Sequence, residues 1–493
     1  MMPARPNILW YCTDQQRFDT IAALGNEHIN TPNLDRFVRE SATFTHAFCQ
    51  SPICTPSRAS FLTGMYPSAV GVNGNGFHTF PRHYEDRLIS KALNDAGYDC
   101  GLIGKLHLAS AFLRREERVN DGYDYFQYSH DHKGGNERGN EYVEWIKGQG
   151  IDHNTVLQPR GIASLDDYRN SHRHPGFGGI SEPTPEKDNV PPHLHQTHWC
   201  TEKAIEFIGR NREPDKPWLL SINPFDPHPP FDAPYEYYRR YDPETLPGAR
   251  YQAGDLEQQN RLTAAGIDFQ NVARHPDAME HRKLQASYYA MIEFLDDEFG
   301  RLLNYLDRTG LRENTIIIFM SDHGEMLGDH GLLLKGCRFY EGLVRVPLMI
   351  SWPGKIKPQI SDELIELVDI VPTLYELLGM DVPPWVQGRS AASMITGEEQ
   401  SAPHREFVRT EHYAATNLAD ETHATMYRDR RWKLVVYHRK DICELYDLEA
   451  DPWEHNDLSA DPAYADVKWD LLRRSYDAAV YAHPTQTDRY GPF

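Results

Sequence analysis

The chain has 493 residues, of which 40% are hydrophobic and 25% charged, with a formal net charge of −21. This is the profile of a globular chain long enough for a large core and a smaller companion unit. The acidic balance argues against nonspecific nucleic-acid or anionic-membrane binding, and no apolar run approaches the ~20 residues that cross a bilayer. An anionic substrate would therefore have to be captured by a local basic pocket.

Met1-Met-Pro-Ala-Arg-Pro-Asn-Ile-Leu-Trp10 leads almost at once into a strand pattern, without the apolar stretch and small-residue cleavage site of a secretory leader. Seven scattered cysteines (12, 49, 54, 100, 200, 337 and 443), with no C-x-x-C pair, suit a reducing compartment. A cytoplasmic location is the expectation. Asn7–Thr13, Tyr98–Ile103, Trp218–Asn223 and Thr315–Ser321 are short apolar runs of the kind found in buried parallel strands. Between them, Thr31-Pro-Asn-Leu-Asp-Arg-Phe-Val38 has a cap, a proline at the first helical position and helical spacing. Leu284–Leu306 reads as a long amphipathic helix, with Tyr288, Met291, Ile292, Leu295, Phe299 and Leu302 on one side. Strands alternating with helices imply an α/β fold built on a large, mostly parallel sheet between helices. The stretches Asp121–Pro192 and Asp232–Pro276 have little periodicity and read as irregular loops over the substrate face. After about Ser401, Thr425–Tyr437 reads as a hairpin turning at Arg428–Arg431, with Cys443–Leu448 as a further strand and a closing helix near Val467–Tyr481. The expected division is a catalytic domain over residues 1–400 and a smaller antiparallel subdomain over 401–493.

The chemistry concentrates in short motifs. In Cys54-Thr-Pro-Ser-Arg58, Thr55 reads as a helix N-cap and Pro56 as the first helical residue, with Gly64 as the C-terminal stop. Cys54 then sits just before a helix N-terminus with the Arg58 guanidinium close by, a setting that attracts an anion. The four strands end in Asp14-Gln15, in Gly104-Lys105-Leu106-His107, in Asp226-Pro-His228-Pro-Pro and in Asp322-His323-Gly-Glu. Ligands in open α/β sheets bind beyond the carboxyl ends of the strands, so these residues imply one convergent site. Asp14, Gln15, Asp322 and His323 have the donor types expected around one divalent cation. The oxygens favour Ca²⁺ or Mg²⁺ and the imidazole shifts some weight to Mn²⁺.

Ser51-Pro-Ile-Cys-Thr-Pro-Ser-Arg-Ala-Ser-Phe-Leu-Thr-Gly-Met-Tyr-Pro67 resembles the signature of the sulfatase family within the alkaline phosphatase superfamily, and the likeness runs from Pro6 to the Glu444–Leu448 region. The resemblance implies an alkaline phosphatase-like fold and oxidation of Cys54 to formylglycine by a maturation enzyme. It also implies one divalent cation, with Ca²⁺ first, held by Asp14, Gln15, Asp322, His323 and the group at position 54. By the same resemblance Arg58 steadies the formylglycine side, and Lys105 and Lys335 hold the sulfate. The hydrated aldehyde attacks sulfur with help from Asp322, His228 protonates the departing alcohol, and His107 takes a proton as sulfate is expelled. The leading expectation is a hydrolase of sulfate esters, acting on a sulfated small molecule or carbohydrate and possible as a homo-oligomer. Asp14-Gln15 and Asp322-His323 also resemble the phosphonate monoester hydrolase and choline-sulfatase branches, so a phosphonate monoester or phosphodiester hydrolase is the alternative. A non-catalytic, metal-stabilised binding protein is the third reading. His78, His130, His132, His193, His195, His198, Arg338 and His412 are further candidates for the pocket mouth, and the tyrosines of Tyr235–Tyr238 could stack on a sugar or an aryl group.

Overall fold

The computed structural model describes residues 5–111, 115–130, 139–157, 182–210, 216–267, 269–398, 401–416 and 421–482. Its main sheet comprises β1 (Asn7–Thr13), β2 (Ala42–Phe48), β3 (Asp99–Gly104), β4 (Tyr125–Tyr128), β5 (Trp218–Asn223), β6 (Thr315–Ser321), β7 (Arg345–Ser351) and β8 (Gln359–Glu366), in the order β4-β3-β5-β1-β6-β7-β2-β8. The strands run parallel apart from β7, which is antiparallel to both β6 and β2. The helices that matter below are α1 (Pro32–Arg39), α2 (Cys54–Thr63), α3 (Ile89–Asp95), α4 (Gln196–Gly209), α5 (Asp255–Ala264), α6 (His281–Thr309), α7 (Ile370–Leu377) and α8 (Ala465–Tyr481).

The central strands are apolar throughout because helices cover both faces of the sheet. Ile8, Trp10 and Cys12 of β1 join Ile316, Ile318 and Met320 of β6 in a core shared with residues of α2, α3 and α7. The alternate residues, Leu9, Tyr11, Ile317 and Phe319, face a second core shared with α1, α4 and α6. Each large apolar side chain taken out of water there contributes about 1.5–3 kcal/mol. The α6 stripe expected over Leu284–Leu306 is present in a helix a few residues longer at each end, closed by Gly310 in the left-handed region.

A separate antiparallel sheet, β9 (Val408–Tyr413), β10 (His423–Arg428), β11 (Trp432–Tyr437) and β12 (Ile442–Asp447), has the order β12-β11-β10-β9, and α8 packs on it. Its β10–β11 turn is made by Asp429, whose Oδ1 accepts the amides of Arg431 and Trp432 at 2.9 and 2.7 Å. The fully buried Lys433 ammonium ties this sheet to the main body through Glu341 (2.8 Å) and the Phe339 carbonyl, and also pairs with Glu454 (2.6 Å) after β12.

Several expectations need correction. The helix at the cysteine motif begins at Cys54 itself, with Ile53 in the cap position and no side-chain cap, so Cys54 lies in the first turn and Thr55 caps nothing. The stretch 121–192 contains β4 and the helices Glu141–Gly148 and His153–Val156; the rest of it, including His132, lies partly outside the described residues. The stretch 232–276 contains α5. Strands β2, β7 and β8 have no counterpart in the sequence reading: β7 carries Pro347 within the run, and β8 is an edge strand half made of polar residues.

One glycine sets the route into the site. Gly104 has φ +94, and a Cβ there would lie 2.1 Å from the Asn223 carbonyl oxygen on the neighbouring strand. Gly104→Ala is therefore expected to cost about 2 kcal/mol or more, because both the dihedral and the backbone contact resist it. A denaturant midpoint equal to that of the parent chain would show that the turn relaxes instead.

Candidate active site

Strands β1 and β6 pair in register from Asn7↔Thr315 to Thr13↔Ser321. The next residues, Asp14 and Asp322, therefore leave adjacent strands side by side, and neither has any exposed surface. Burying two ionised carboxylates is costly unless cations and donors accompany them, and the neighbouring elements supply both. β3 ends beside β5 at Gly104↔Asn223, and the next residue, Lys105, sends its ammonium onto Asp14 Oδ2. Arg58, one turn along α2 from Cys54, places Nε 2.9 Å from Asp322 Oδ2 and Nη2 3.6 Å from Asp14 Oδ2, and donates through Nη1 to the Lys105 carbonyl at 3.0 Å.

Cys54 Sγ lies at the centre of this group. It is 3.1 Å from His323 Nε2, 2.8 Å from Lys335 Nζ and 3.8 Å from Asp14 Oδ1. His323 Nδ1 faces the Gly324 carbonyl at 2.9 Å, which leaves Nε2 to the interior of the site. Gln15 has left-handed backbone (φ 70) and donates its amide N–H to Asp322 Oδ1 at 3.0 Å. Its side-chain NH₂ goes to Glu325, so its Oε1 turns inward and accepts from Lys335 at 2.8 Å.

The ligand atoms of Asp14, Cys54, Asp322 and His323 all lie within 4.8 Å of one another. With Gln15 Oε1 alongside, this oxygen-rich donor set with one inward-facing imidazole fits a hard divalent cation. Three cationic side chains surround two carboxylates, so the pocket also favours an anion. Burial favours the neutral acid at Asp14, but Lys105, His228, Arg58 and Lys335 hold its carboxyl well below the usual carboxylate range. Burial and Asp14 push the Cys54 thiol up, while Lys105, Lys335 and His323 outweigh them and bring it down to about 7.

His107 and His228 border the group. His107 has φ 55, is buried against His130 (ring centroids 4.5 Å apart, edge-to-face), and has an Nδ1 with no hydrogen-bond partner among the described residues. Burial first, then Lys105 and His130, keep its pKa well below that of an ordinary histidine, so it is a neutral base. His228 is partly buried beside Phe225, with Nδ1 2.7 Å from the Pro229 carbonyl.

The structure thus brings together Asp14, Gln15, Cys54, Arg58, Lys105, Asp322, His323 and Lys335, with His107, His228 and His130 at the border. Other candidates lie elsewhere. Arg338 is buried and bonded to Gln259 and the Ile267 carbonyl, His195 accepts the Thr197 amide at the start of α4, and His412 is buried against the Thr422 carbonyl. His198 pairs with Glu298, His78 with Glu117, and His193 is exposed. A cleft of about 480 Å³ lined by Arg17, Phe18, Arg250, Arg345 and Trp453 contains none of the site residues.

Two acids missed by the sequence reading organise the walls. Glu325 binds Gln15 through one oxygen and the Leu327 and Leu334 amides through the other, closing the loop that carries Lys335. Glu116 accepts the consecutive amides of His107, Leu108 and Ala109; burial pushes its carboxyl up to about 7 even against those bonds. Glu325 follows Asp322-His323 too closely to stand out as a separate signal, and Glu116 sits in a charge run that reads as a solvated face.

Comparison with known proteins gives a consistent result. The family model for Sulfatase matches residues 6–380, and that for N-sulphoglucosamine sulphohydrolase, C-terminal, matches 328–479. An arylsulfatase of Clostridium perfringens is 32% identical, with 95% of this chain and 93% of that protein covered. A choline-sulfatase of Rhizobium meliloti is 30% identical, with coverage of 97% and 90%. The crystal structure of a phosphonate monoester hydrolase of Agrobacterium radiobacter superposes with a TM-score of 0.78 at 25% identity, covering 97% of this chain and 96% of that one.

The electrostatics around Cys54 make a direct prediction for metal-free protein carrying the plain cysteine. Its thiolate should form as pH rises through about 7, well before an unperturbed thiol ionises. The measurement is thiolate absorbance against pH in the parent chain minus Cys54→Ser. Lys335→Met should move the midpoint upward, and a midpoint near 9 in the parent chain would contradict the assignment.

Proposed function

The chain belongs to the sulfatase family, enzymes that hydrolyse sulfuric esters, and we propose that it does so through an oxidised Cys54 and one divalent cation at the buried site. The observation that carries this reading is the placement of Cys54 Sγ among Asp14, Asp322, His323 and Lys335, where nucleophile, cation ligands and anion-binding charge occupy one pocket.

Asp14, Gln15, Asp322 and His323 would hold the cation, with Ca²⁺ the first choice for these donors. Bound there, it supplies Lewis-acid charge that acidifies a neighbouring hydroxyl and offsets negative charge on the ester. A hydrated aldehyde at position 54 supplies an oxygen nucleophile together with a second hydroxyl through which sulfate can leave without a separate attack by water. Cys54 is only 1% exposed in the folded chain, so its oxidation by a maturation enzyme must come before the fold closes over it.

The remaining roles follow from this chain's own groups. Lys335, 2.8 Å from Sγ, and Lys105, across Asp14, are the fixed cations available to the non-bridging oxygens of the ester. Arg58 bonds Asp322 and lies beside Asp14, which fixes both carboxylates in place. His228, with Nδ1 committed to a carbonyl, offers Nε2 as the proton donor to the leaving oxygen, and the neutral His107 accepts a proton. Hydrolysis of phosphonate monoesters or phosphodiesters is the second reading, favoured by Gln15 and His323 and by the structural likeness to the Agrobacterium enzyme. Lys105 and His107 favour sulfate.

Two experiments test this. Mass spectrometry of active enzyme should show the peptide containing residue 54 as the aldehyde or its hydrate, and Cys54→Ala should abolish hydrolysis across a panel of aryl sulfates, sulfated sugars and phosphonate monoesters. Full activity in Cys54→Ala would refute the nucleophile, and a preference for phosphonates over every sulfate in the panel would select the second reading. Separately, His228→Ala should lower turnover of an alkyl sulfate by about 10²–10³, and that of an activated aryl sulfate far less, because only a poor leaving group needs the proton. Equal losses on the two substrates would take His228 out of the acid role.

A further inference from the structure

Among the described residues, one other group of ligating side chains converges away from the active site. It consists of Asp255, His330 and His455, whose ligand atoms also lie within 4.8 Å of one another. Asp255 is the first residue of α5. His330 lies on the loop between β6 and β7, after Asp322-His323 and before Lys335, and His455 follows β12 of the small sheet. The side chains of Asp255, His330 and His455 are 3%, 4% and 8% exposed.

Both imidazoles present the same ring nitrogen to the same carboxylate oxygen. His330 Nδ1 is 3.4 Å and His455 Nδ1 3.0 Å from Asp255 Oδ1. The other oxygen, Oδ2, accepts the Gln252 amide at 2.8 Å, which fixes the carboxylate plane, and lies 3.1 Å from His455 Nδ1. Two ligands each about 2.0–2.1 Å from a tetrahedral Zn²⁺ lie roughly 3.3–3.4 Å apart. The His330 spacing already has that value, and His455 needs to retreat by only a few tenths of an ångström.

The segments that carry the ligands are held in place by bonds outside the group. His330 is a non-glycine residue in the left-handed region (φ 54, ψ 21), with its amide on the Arg250 carbonyl at 3.0 Å. Its ring stacks on Tyr340 at 3.8 Å and 10°, and the Tyr340 hydroxyl accepts from Gln259, one turn along α5 from Asp255. The neighbouring Asp329 is pinned by Arg17 and the Arg250 amide. Glu454, next to His455, is pinned by Lys433 and the Glu341 amide. Backbone strain and locked side chains around convergent donors describe a preorganised site.

We propose that Asp255, His330 and His455 form a second metal site, selective for Zn²⁺ or a similar transition metal over Ca²⁺. Two imidazoles and one carboxylate suit such an ion, whereas Ca²⁺ needs six to eight oxygens. The three ligands come from α5, from the loop that carries Lys335 and from the segment after the small sheet. The ion therefore cross-links those three segments and holds the Lys335 loop against the C-terminal unit.

The test uses full-length enzyme saturated with Ca²⁺, so that the active-site donors are occupied. Added Zn²⁺ should bind at one equivalent per chain, by elemental analysis after gel filtration, and Co²⁺ in its place should give the visible absorption of a low-coordinate site. Losing even an outer-shell partner of a metal costs 10–100-fold in affinity, so His455→Ala and His330→Gln should each weaken Zn²⁺ binding by at least ~100-fold. The Ca²⁺ content of both variants should not change. Should either variant fail to fold, the Co²⁺ spectrum of the parent chain decides. No Zn²⁺ binding tighter than about 10 µM, no Co²⁺ absorption in the Ca²⁺-saturated enzyme, or unchanged affinity in a folded variant would each overturn the proposal.

Discussion

The in-register pairing of β1 with β6 forces two carboxylates to the same buried level, and much of the surrounding structure answers that constraint. Asp14 and Asp322 have no exposed surface, and Lys105 and Arg58 reach them from β3 and α2. An ionised carboxylate buried alone would carry a penalty of several kcal/mol and would take up a proton. The cations offset the two buried carboxylates and leave a positive pocket in a chain whose net charge is −21. Local geometry thus outweighs an unfavourable long-range field.

The same constraint explains the extensive hydrogen bonding of the walls. A loop that delivers one lysine to a fixed point must not wander by an ångström, because electrostatic stabilisation depends on donors already in place. Glu325 ties the Lys335 loop to Gln15, and Glu116 gathers three successive amides behind His107. Both acids are buried and spend their oxygens on the Gln15 side chain and on backbone amides, not on the Cys54 group; they hold backbone rather than line the pocket. His330 lies on that same Lys335 loop and meets Asp255 of α5 and His455 after the small sheet, so contacts that fix the loop extend from the main sheet to the small one.

Much of the fold was legible from hydrophobic pattern. Asn7–Thr13, Trp218–Asn223 and Thr315–Ser321 are strands over the ranges read from the sequence, because strands buried on both faces must be apolar at every position. β7 and β8 escaped notice because pairing rather than composition makes them strands. Pro347 interrupts one run, and the other lies at a sheet edge where polar residues are tolerated. The sequence pattern places the helix at Cys54 two residues late because Thr55 has the composition of a cap. In the fold Ile53 takes that position, and Thr55 lies inside the first turn with its amide on Asn75.

By itself the sequence determined which residue types stand at the strand ends: Asp14-Gln15, Lys105 and His107, His228, and Asp322-His323, together with the cysteine motif and Lys335. Motifs of that kind are local: their residue types suggest a charged, ligand-binding site, and the resemblance to the sulfatase family supplies the individual roles. Only the tertiary structure decided how those groups meet. It set the strand order and the register that places Asp14 beside Asp322, and it turned the Gln15 amide inward through Glu325. It committed Arg338, His195 and His412 to partners outside the Cys54 group, and it brought Asp255, His330 and His455 together. Such contacts join residues tens to hundreds of positions apart, and no periodicity along the chain encodes them. They exist because buried charges must find partners, and the packed sheet allows those partners to come only from particular places.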